Sequence, residues 1–177
     1  MKKSDVNMDF KNISLIGFMG SGKSTVGKIL SEKLGLLFID LDKVIELDQE
    51  KEISYIFKIY GEKYFRELEA GIIKKIYKNK NCIFACGGGV VKRKENMDLI
   101  RENSLVVYLN VSIGDIIYRL KETKDRPLVD VENKEETIER MMKERDVLYR
   151  KYANIIINND NDNSDRTADK ILAEIKR

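Results

Sequence analysis

Short apolar runs alternate with longer stretches of helical period along the whole chain. The runs at 13–17, 36–40, 81–86, 105–110 and 153–158 read as strands. Between and after them, helices are predicted at 23–34, 53–60, 62–79, 92–102, 112–121, 135–151 and 165–176. Within 62–79, Phe65, Leu68, Ile72, Ile73 and Ile76 recur at steps of three and four, which marks one buried helical face. Gly35 stands where a helix C-cap is expected after Lys33 and Leu34. Five strands alternating with helices predict an α/β fold, a five-stranded parallel sheet with helices on both faces. There is no internal repeat and no Ser/Gly linker, and the Asn/Asp run at 158–163 reads as a polar loop before the last helix. The expectation is a single domain over 1–177, with 1–10 a loose lead.

Composition narrows the chemistry. At 177 residues there is room for one catalytic unit. The 33 Lys+Arg and 30 Asp+Glu leave a net charge of +3, which speaks against a dedicated nucleic-acid binder. No stretch approaches the ~20 apolar residues of a membrane span, and the charged start lacks the apolar core of a secretory signal. The expected setting is the cytoplasm, with no membrane or nucleic-acid partner. With no histidine in the chain, Ser/His/Asp and Cys/His nucleophile systems and His-containing zinc sites are excluded. Carboxylates, Lys, Arg or a cofactor must carry the chemistry. The two cysteines, Cys82 and Cys86, fall on one strand. There they would stand roughly 13 Å apart, too far for a disulfide within it. Buried free thiols are expected.

The strongest motif runs from Gly17 to Ser24, GFMGSGKS, after the first strand and before an amphipathic helix. Glycines 17, 20 and 22 let backbone N–H groups converge on phosphate oxygens at a helix N-terminus. Lys23 adds a cation for the β- and γ-phosphates, and the Ser24 hydroxyl suits Mg²⁺. At the end of the second strand, Asp40 and Asp42 stand two apart, so an extended backbone would aim both carboxylates to one side. One suits the Mg²⁺ shell and the other a substrate hydroxyl; alternatively either simply caps the next helix. Glu62, Arg66 and Glu69 have ordinary helix ion-pair spacing, yet an Arg held by carboxylates is also preorganised to receive an anionic substrate. Gly87, Gly88 and Gly89 end the third strand, as a flexible turn or as a place where substrate approaches the backbone. Arg119, Lys121, Lys124 and Arg126 gather before Pro127, as a solvated loop or as the cationic cover of a phosphoryl-transfer site.

In this order GFMGSGKST, FIDLDKVIE, GEKYFRELE, GGGVV, DRPLV and ERDVLY resemble the shikimate kinase family, from Ile13 to about Ile175. The resemblance implies a P-loop, nucleoside-monophosphate-kinase-like domain with a mobile lid at about 119–134. It further implies that Gly20, Ser21, Gly22, Lys23, Ser24 and Thr25 cradle ATP, with Arg119 against the adenine. Lys23, Asp42 and Arg126 would be catalytic, Asp42 as base toward the 3-hydroxyl of shikimate and Arg126 on the transferring phosphoryl. Ser24 would hold Mg²⁺ directly, with Asp40 acting through water. Asp42, Arg66, Gly87, Gly88, Gly89 and Arg145 would bind shikimate, Glu69 orienting Arg66. The implied protein is a monomer that makes shikimate 3-phosphate for aromatic amino acid synthesis. A related kinase of gluconate or a nucleoside monophosphate, or a non-catalytic ATP-binding module, are the competing readings. Three positions depart from the family pattern: Cys86, which the site should tolerate because it uses backbone; Val147, where a common proline is missing and a looser turn is expected; and 158–163, where no nucleotide contact carries over.

Overall fold

A computed structural model describes residues 12–121, 133–159 and 163–176. The expected N-terminal lead, Lys124, Arg126 and most of the expected lid lie outside the described residues. The elements run β1 (Asn12–Ile16), α1 (Lys23–Leu34), β2 (Leu37–Asp40), α2 (Leu41–Gln49), α3 (Ile53–Ile76) and β3 (Cys82–Ala85). A 3₁₀ turn at Val90–Lys92 follows, then α4 (Lys94–Asn103), β4 (Leu105–Asn110), α5 (Ile113–Lys121), α6 (Lys134–Tyr152), β5 (Ile155–Asn158) and α7 (Ser164–Ile175).

The strands form one parallel sheet in the order β2-β3-β1-β4-β5. Period-two alternation decides which side chain meets which helix layer. Ile13, Leu15, Ile83, Val107 and Leu109 point to a core shared with Val26 and Leu30 of α1 and Ala168 and Ile171 of α7. Their neighbours Ile16, Phe84, Val106 and Tyr108 point the other way, to a core with Ile73, Met97, Ile116, Ile138 and Tyr149. The sheet is therefore covered on both faces, as its apolar runs require. A smaller cluster of Ile45, Ile56, Phe65 and Ile72 holds α2 against α3.

The chain moves outward from β1 to β2 and back to β3, then crosses to the opposite side for β4 and β5. In open parallel sheets such a reversal opens a crevice beyond the carboxyl ends of the strands. The loops after β1, β2 and β3 all empty into it. Among the described residues no helix is long and apolar enough to cross a membrane.

Three expectations are corrected. The extended backbone that would aim Asp40 and Asp42 to one side stops at Asp40, and α2, the helix that Asp40 alternatively caps, begins at Leu41. Val90–Lys92 is a 3₁₀ turn, so α4 begins at Lys94 and not at 92. Val147 sits exposed inside the continuous helix α6, so there is no turn for it to loosen. The expected break between 53–60 and 62–79 is real: Gly61 takes φ 79° and kinks α3 there. Gly35 caps α1 in the left-handed conformation, its N–H donating to the Ser31 carbonyl. Cys82 and Cys86 are buried and free.

Candidate active site

The loop from Gly17 to Gly22 joins β1 to α1 through backbone angles that favour glycine. Gly17 has φ 145°, and a β-carbon there would lie 2.7 Å from the Leu109 carbonyl oxygen. Gly22, at φ 90°, is the N-cap of α1 and brings no side chain to its first turn, leaving the orphan N–H groups for an anion. Lys23 is nearly buried, its Nζ donating to the Gly17 carbonyl (2.9 Å), the Phe18 carbonyl (2.8 Å) and Ser21 Oγ (3.3 Å). Ser24 Oγ donates to Asp40 Oδ2 at 2.6 Å. The other Asp40 oxygen caps α2, accepting from the N–H groups of Asp42 (3.1 Å) and Lys43 (3.4 Å). The capping alternative therefore holds for Asp40, and its second oxygen faces Ser24.

Asp42 reaches the crevice from the first turn of α2, not from an extended strand. A cavity of about 600 Å³ runs from the phosphate loop, past Lys23, Ser24 and Asp40, to Asp42 and Gly88. Gly20, Gly22, the exposed Thr25 and Arg119 border it on the loop side. Ser21 is buried beneath the loop. Arg119 donates to the Gly20 carbonyl (3.2 Å) and to the Asn159 carbonyl (3.0 Å).

The glycine triplet gathers the remaining candidates. A β-carbon on Gly87 would lie 2.9 Å from Asp42 Oδ1 and 3.0 Å from Glu69 Oε1, and one on Gly89 would overlap Arg66 Nη2. The Gly88 carbonyl accepts from Arg145 Nη1 (3.3 Å) and from the Tyr149 hydroxyl. Arg145 is buried, with its guanidinium 5.5 Å from the Phe18 ring centre. Arg66 donates to Glu62 Oε1 (3.2 and 3.0 Å) and to Glu69 Oε2 (3.1 Å). The plain helix ion pairs therefore form, and the same pairs press the guanidinium against Gly89. Lys92 of the 3₁₀ turn also donates to Glu62 Oε1, at 3.1 Å. Burial raises the Glu62 pKa, but the bonds from Arg66 and Lys92 outweigh it and leave it lowered.

Cys86, just before the triplet, is a closed-in thiol. Burial pushes it up to about 12, and its Sγ lies 3.4 Å from the Tyr77 hydroxyl, so it stays protonated and unreactive. Two residues of the site escaped the sequence reading. Tyr149 holds Gly88 from 61 positions away, a contact with no local signature. Asn159 lies in the polar run 158–163, yet its side-chain amide donates to the phosphate loop at the Ser21 carbonyl.

Glu69 is fully buried and its Oε1 has no hydrogen-bond partner among the described residues. Burial raises its pKa to about 7, against the lowering pull of Arg66 and Arg145 and with Asp42 adding to the rise. The folded protein therefore holds this proton where the unfolded chain, near 4.5, has lost it. The Glu69 contribution to stability should fall as pH rises from about 4.5 to about 7, by on the order of 3 kcal/mol, and stay level outside that window. Glu69→Gln, neutral throughout, should flatten that slope in thermal unfolding measured from pH 5 to pH 8. An identical slope in both proteins would mean that Glu69 does not titrate there.

The shikimate kinase family model matches residues 19–176, a span that holds nearly every group described above. The chain belongs to the shikimate kinase family. A shikimate kinase of Sulfurihydrogenibium sp. (strain YO3AOP1) is 46% identical over 94% of this chain and 99% of its own length. The shikimate kinase from Acinetobacter baumannii, solved in complex with shikimate, is 36% identical with a TM-score of 0.92, over 95% of this chain and 94% of that one. A gluconokinase from Sinorhizobium meliloti 1021 covers similar shares, 94% and 93%, with a TM-score of 0.56 and 15% identity, which is likeness of fold alone. The expected fold and family stand: a five-stranded parallel P-loop kinase domain of the shikimate kinase type.

Proposed function

We propose that the chain transfers the γ-phosphoryl group of ATP to the 3-hydroxyl of shikimate, giving shikimate 3-phosphate and ADP. What carries this reading is the convergence, at one sheet end, of a phosphate loop with a carboxylate and two arginines gathered about the Gly87–Gly89 backbone. A phosphate loop alone fits many kinases. The added pair, Arg66 and Arg145, fits an acceptor that carries a carboxylate.

In this reading Gly20, Ser21, Gly22, Lys23, Ser24 and Thr25 take the phosphates, and Lys23 exchanges its loop carbonyls for phosphate oxygens. Arg119 lies against the adenine. Arg66 and Arg145 hold the shikimate carboxylate, Gly87, Gly88 and Gly89 admit the ring close to the backbone, and Asp42 accepts the proton of the 3-hydroxyl. The hydroxyl oxygen then bonds to phosphorus as the bond to the ADP oxygen breaks. Arg126, outside the described residues, belongs to the phosphoryl group by resemblance, and 119–134 to a lid. Positioning and electrostatics supply the acceleration.

The residues also suit Mg²⁺. This ion keeps several waters and takes one or two protein oxygens beside the phosphates; a hydroxyl backed by a carboxylate, Ser24 on Asp40, is such a set. Among the described residues there is no group of three or more His, Cys, Asp or Glu that would form a cage instead. Ser24 would hold the ion directly and Asp40 through water, and the ion supplies neutralisation of phosphate charge. We assign the chain the role of a single-domain, cytoplasmic monomer.

Release of ADP, with Mg²⁺ and ATP, should depend strictly on shikimate and be absent with gluconate or nucleoside monophosphates. Turnover with another acceptor would remove the roles given to Arg66 and Arg145. A folded, ATP-binding protein that turns over nothing would make it a non-catalytic module. Arg66→Ala deletes charge-assisted bonds worth roughly 1.5–3 kcal/mol each. It should raise the shikimate KM tenfold or more (about one to two such bonds) and leave the ATP KM near its original value. A matching loss of ATP affinity would make Arg66 structural.

A further inference from the structure

The Asn/Asp run at 158–163 reads as a polar loop, yet its second residue, Asn159, is a buried polar side chain. Asn159 uses all its hydrogen-bonding groups, each on a different element. Its N–H donates to the Asn110 carbonyl at the end of β4 (2.8 Å). Its carbonyl accepts from Arg119 of α5 (3.0 Å). Its side-chain oxygen accepts from the buried Thr167 hydroxyl of α7, and its side-chain Nδ2 donates to the Ser21 carbonyl of the phosphate loop (2.9 Å). Nδ2 also sits so close beneath the loop that a β-carbon on Gly22 would meet it at 3.2 Å.

The Ser21 carbonyl settles how the amide is turned. A carbonyl oxygen can only accept, so the Asn159 nitrogen faces it and the amide oxygen is left to accept from the Thr167 hydroxyl. The consequence lies one bond further on. In a trans peptide the C=O and the following N–H point in opposite directions, and the described chain has no cis bonds. Holding the Ser21 carbonyl down toward α7 therefore turns the Gly22 N–H the other way. That N–H opens α1, where an anion is received. Through its own carbonyl the same residue fixes Arg119, whose other nitrogen holds the neighbouring Gly20 carbonyl.

We propose that Asn159 is a positioning residue for the nucleotide: it sets the phosphate-loop peptide at Ser21–Gly22 and the Arg119 guanidinium in one rigid frame, with Thr167 anchoring its side-chain oxygen. It touches neither the acceptor site nor the reacting atoms, so its effect falls on ATP and ADP and spares shikimate. This rests on the reading of the loop as the ATP site. The test has two variants, because Asn159→Leu empties a buried polar position and can cost folding. Thr167→Val keeps shape and removes only the hydroxyl that anchors the amide oxygen.

Binding of ADP with Mg²⁺ is measured by titration calorimetry, and KM values for ATP and shikimate are measured beside it. Asn159→Leu should weaken ADP about tenfold or more and Thr167→Val about threefold, by loss of buried hydrogen bonds. The ATP KM should follow in both, with the shikimate KM within about twofold. Unchanged ADP affinity in Thr167→Val, or equal losses for ATP and shikimate in either variant, would overturn the proposal and leave Asn159 a structural tie. If the unaltered protein fails to bind ADP, the ATP site itself is misassigned and the inference falls with it.

Discussion

Lys23→Ala should lower kcat by about 10²–10³-fold, the cost of removing one donor aimed at developing charge. The shikimate KM should stay within about threefold. The side chain is anchored by two backbone carbonyls and a hydroxyl of its own loop, so its ammonium is delivered beside the loop before any nucleotide arrives. Little conformational freedom is left to lose when phosphate oxygens replace those carbonyls, and the gain is concentrated where negative charge spreads in the transition state. The groups proposed for shikimate, Arg66, Arg145 and Asp42, lie about the glycine triplet, at the other end of the site. Steady-state kinetics with each substrate varied in turn separates the effects. An unchanged kcat would take Lys23 out of the reaction. A parallel rise in the shikimate KM would mean that losing the loop's anchor has collapsed the whole crevice.

The elements legible in the sequence are those whose pattern is local. β4 and α1 fall within the bounds read from their apolar runs and periodicity, and the kink at Gly61 was visible as a glycine between two helical stretches. Ile39 to Asp42 alternates like a strand, while the period of Leu41, Val44 and Ile45 marks α2, with Leu41 and Ile45 its buried face. The helix changes the reason for Asp42 without changing the residue: its carboxylate comes to the site from a helix capped by Asp40. The glycine triplet is legible as a close approach, whereas its neighbours Asp42, Arg66, Glu69 and Arg145 are joined to it in sequence by resemblance alone. Which side chains press on Gly87, Gly88 and Gly89 depends on the folding of α2, α3 and α6 around one strand end, and Tyr149 acquires meaning only there. Asn159 shows the same limit from the other side. In sequence it is one polar residue in a polar run, and only the return of β5 beside β4 sets it under the phosphate loop.

Asp42→Asn keeps size and shape and should lower kcat by about 10²–10⁴-fold, the range for loss of a general base. Asp42 Oδ1 and Glu69 Oε1 both lie close to the place a β-carbon of Gly87 would fill, so two carboxylates face the small space a glycine leaves open. They are not equivalent. Glu69 is fully buried, shares its other oxygen with Arg66 and keeps its proton up to about pH 7. Asp42 borders the open cavity that leads to the phosphate loop, so it is the carboxylate with a path to a hydroxyl facing ATP. The pH dependence of the variant distinguishes the two. If Asp42 is the base, the small residual rate should show no rise tied to Glu69. Without the Asp42 charge the Glu69 pKa should sit below its original value of about 7. A residual rate that climbs as Glu69 loses its proton there would trace the proton transfer to it, since a base works only once it has lost its own proton. An effect confined to the shikimate KM would leave Asp42 a hydrogen-bonding group for the ring hydroxyls and no more.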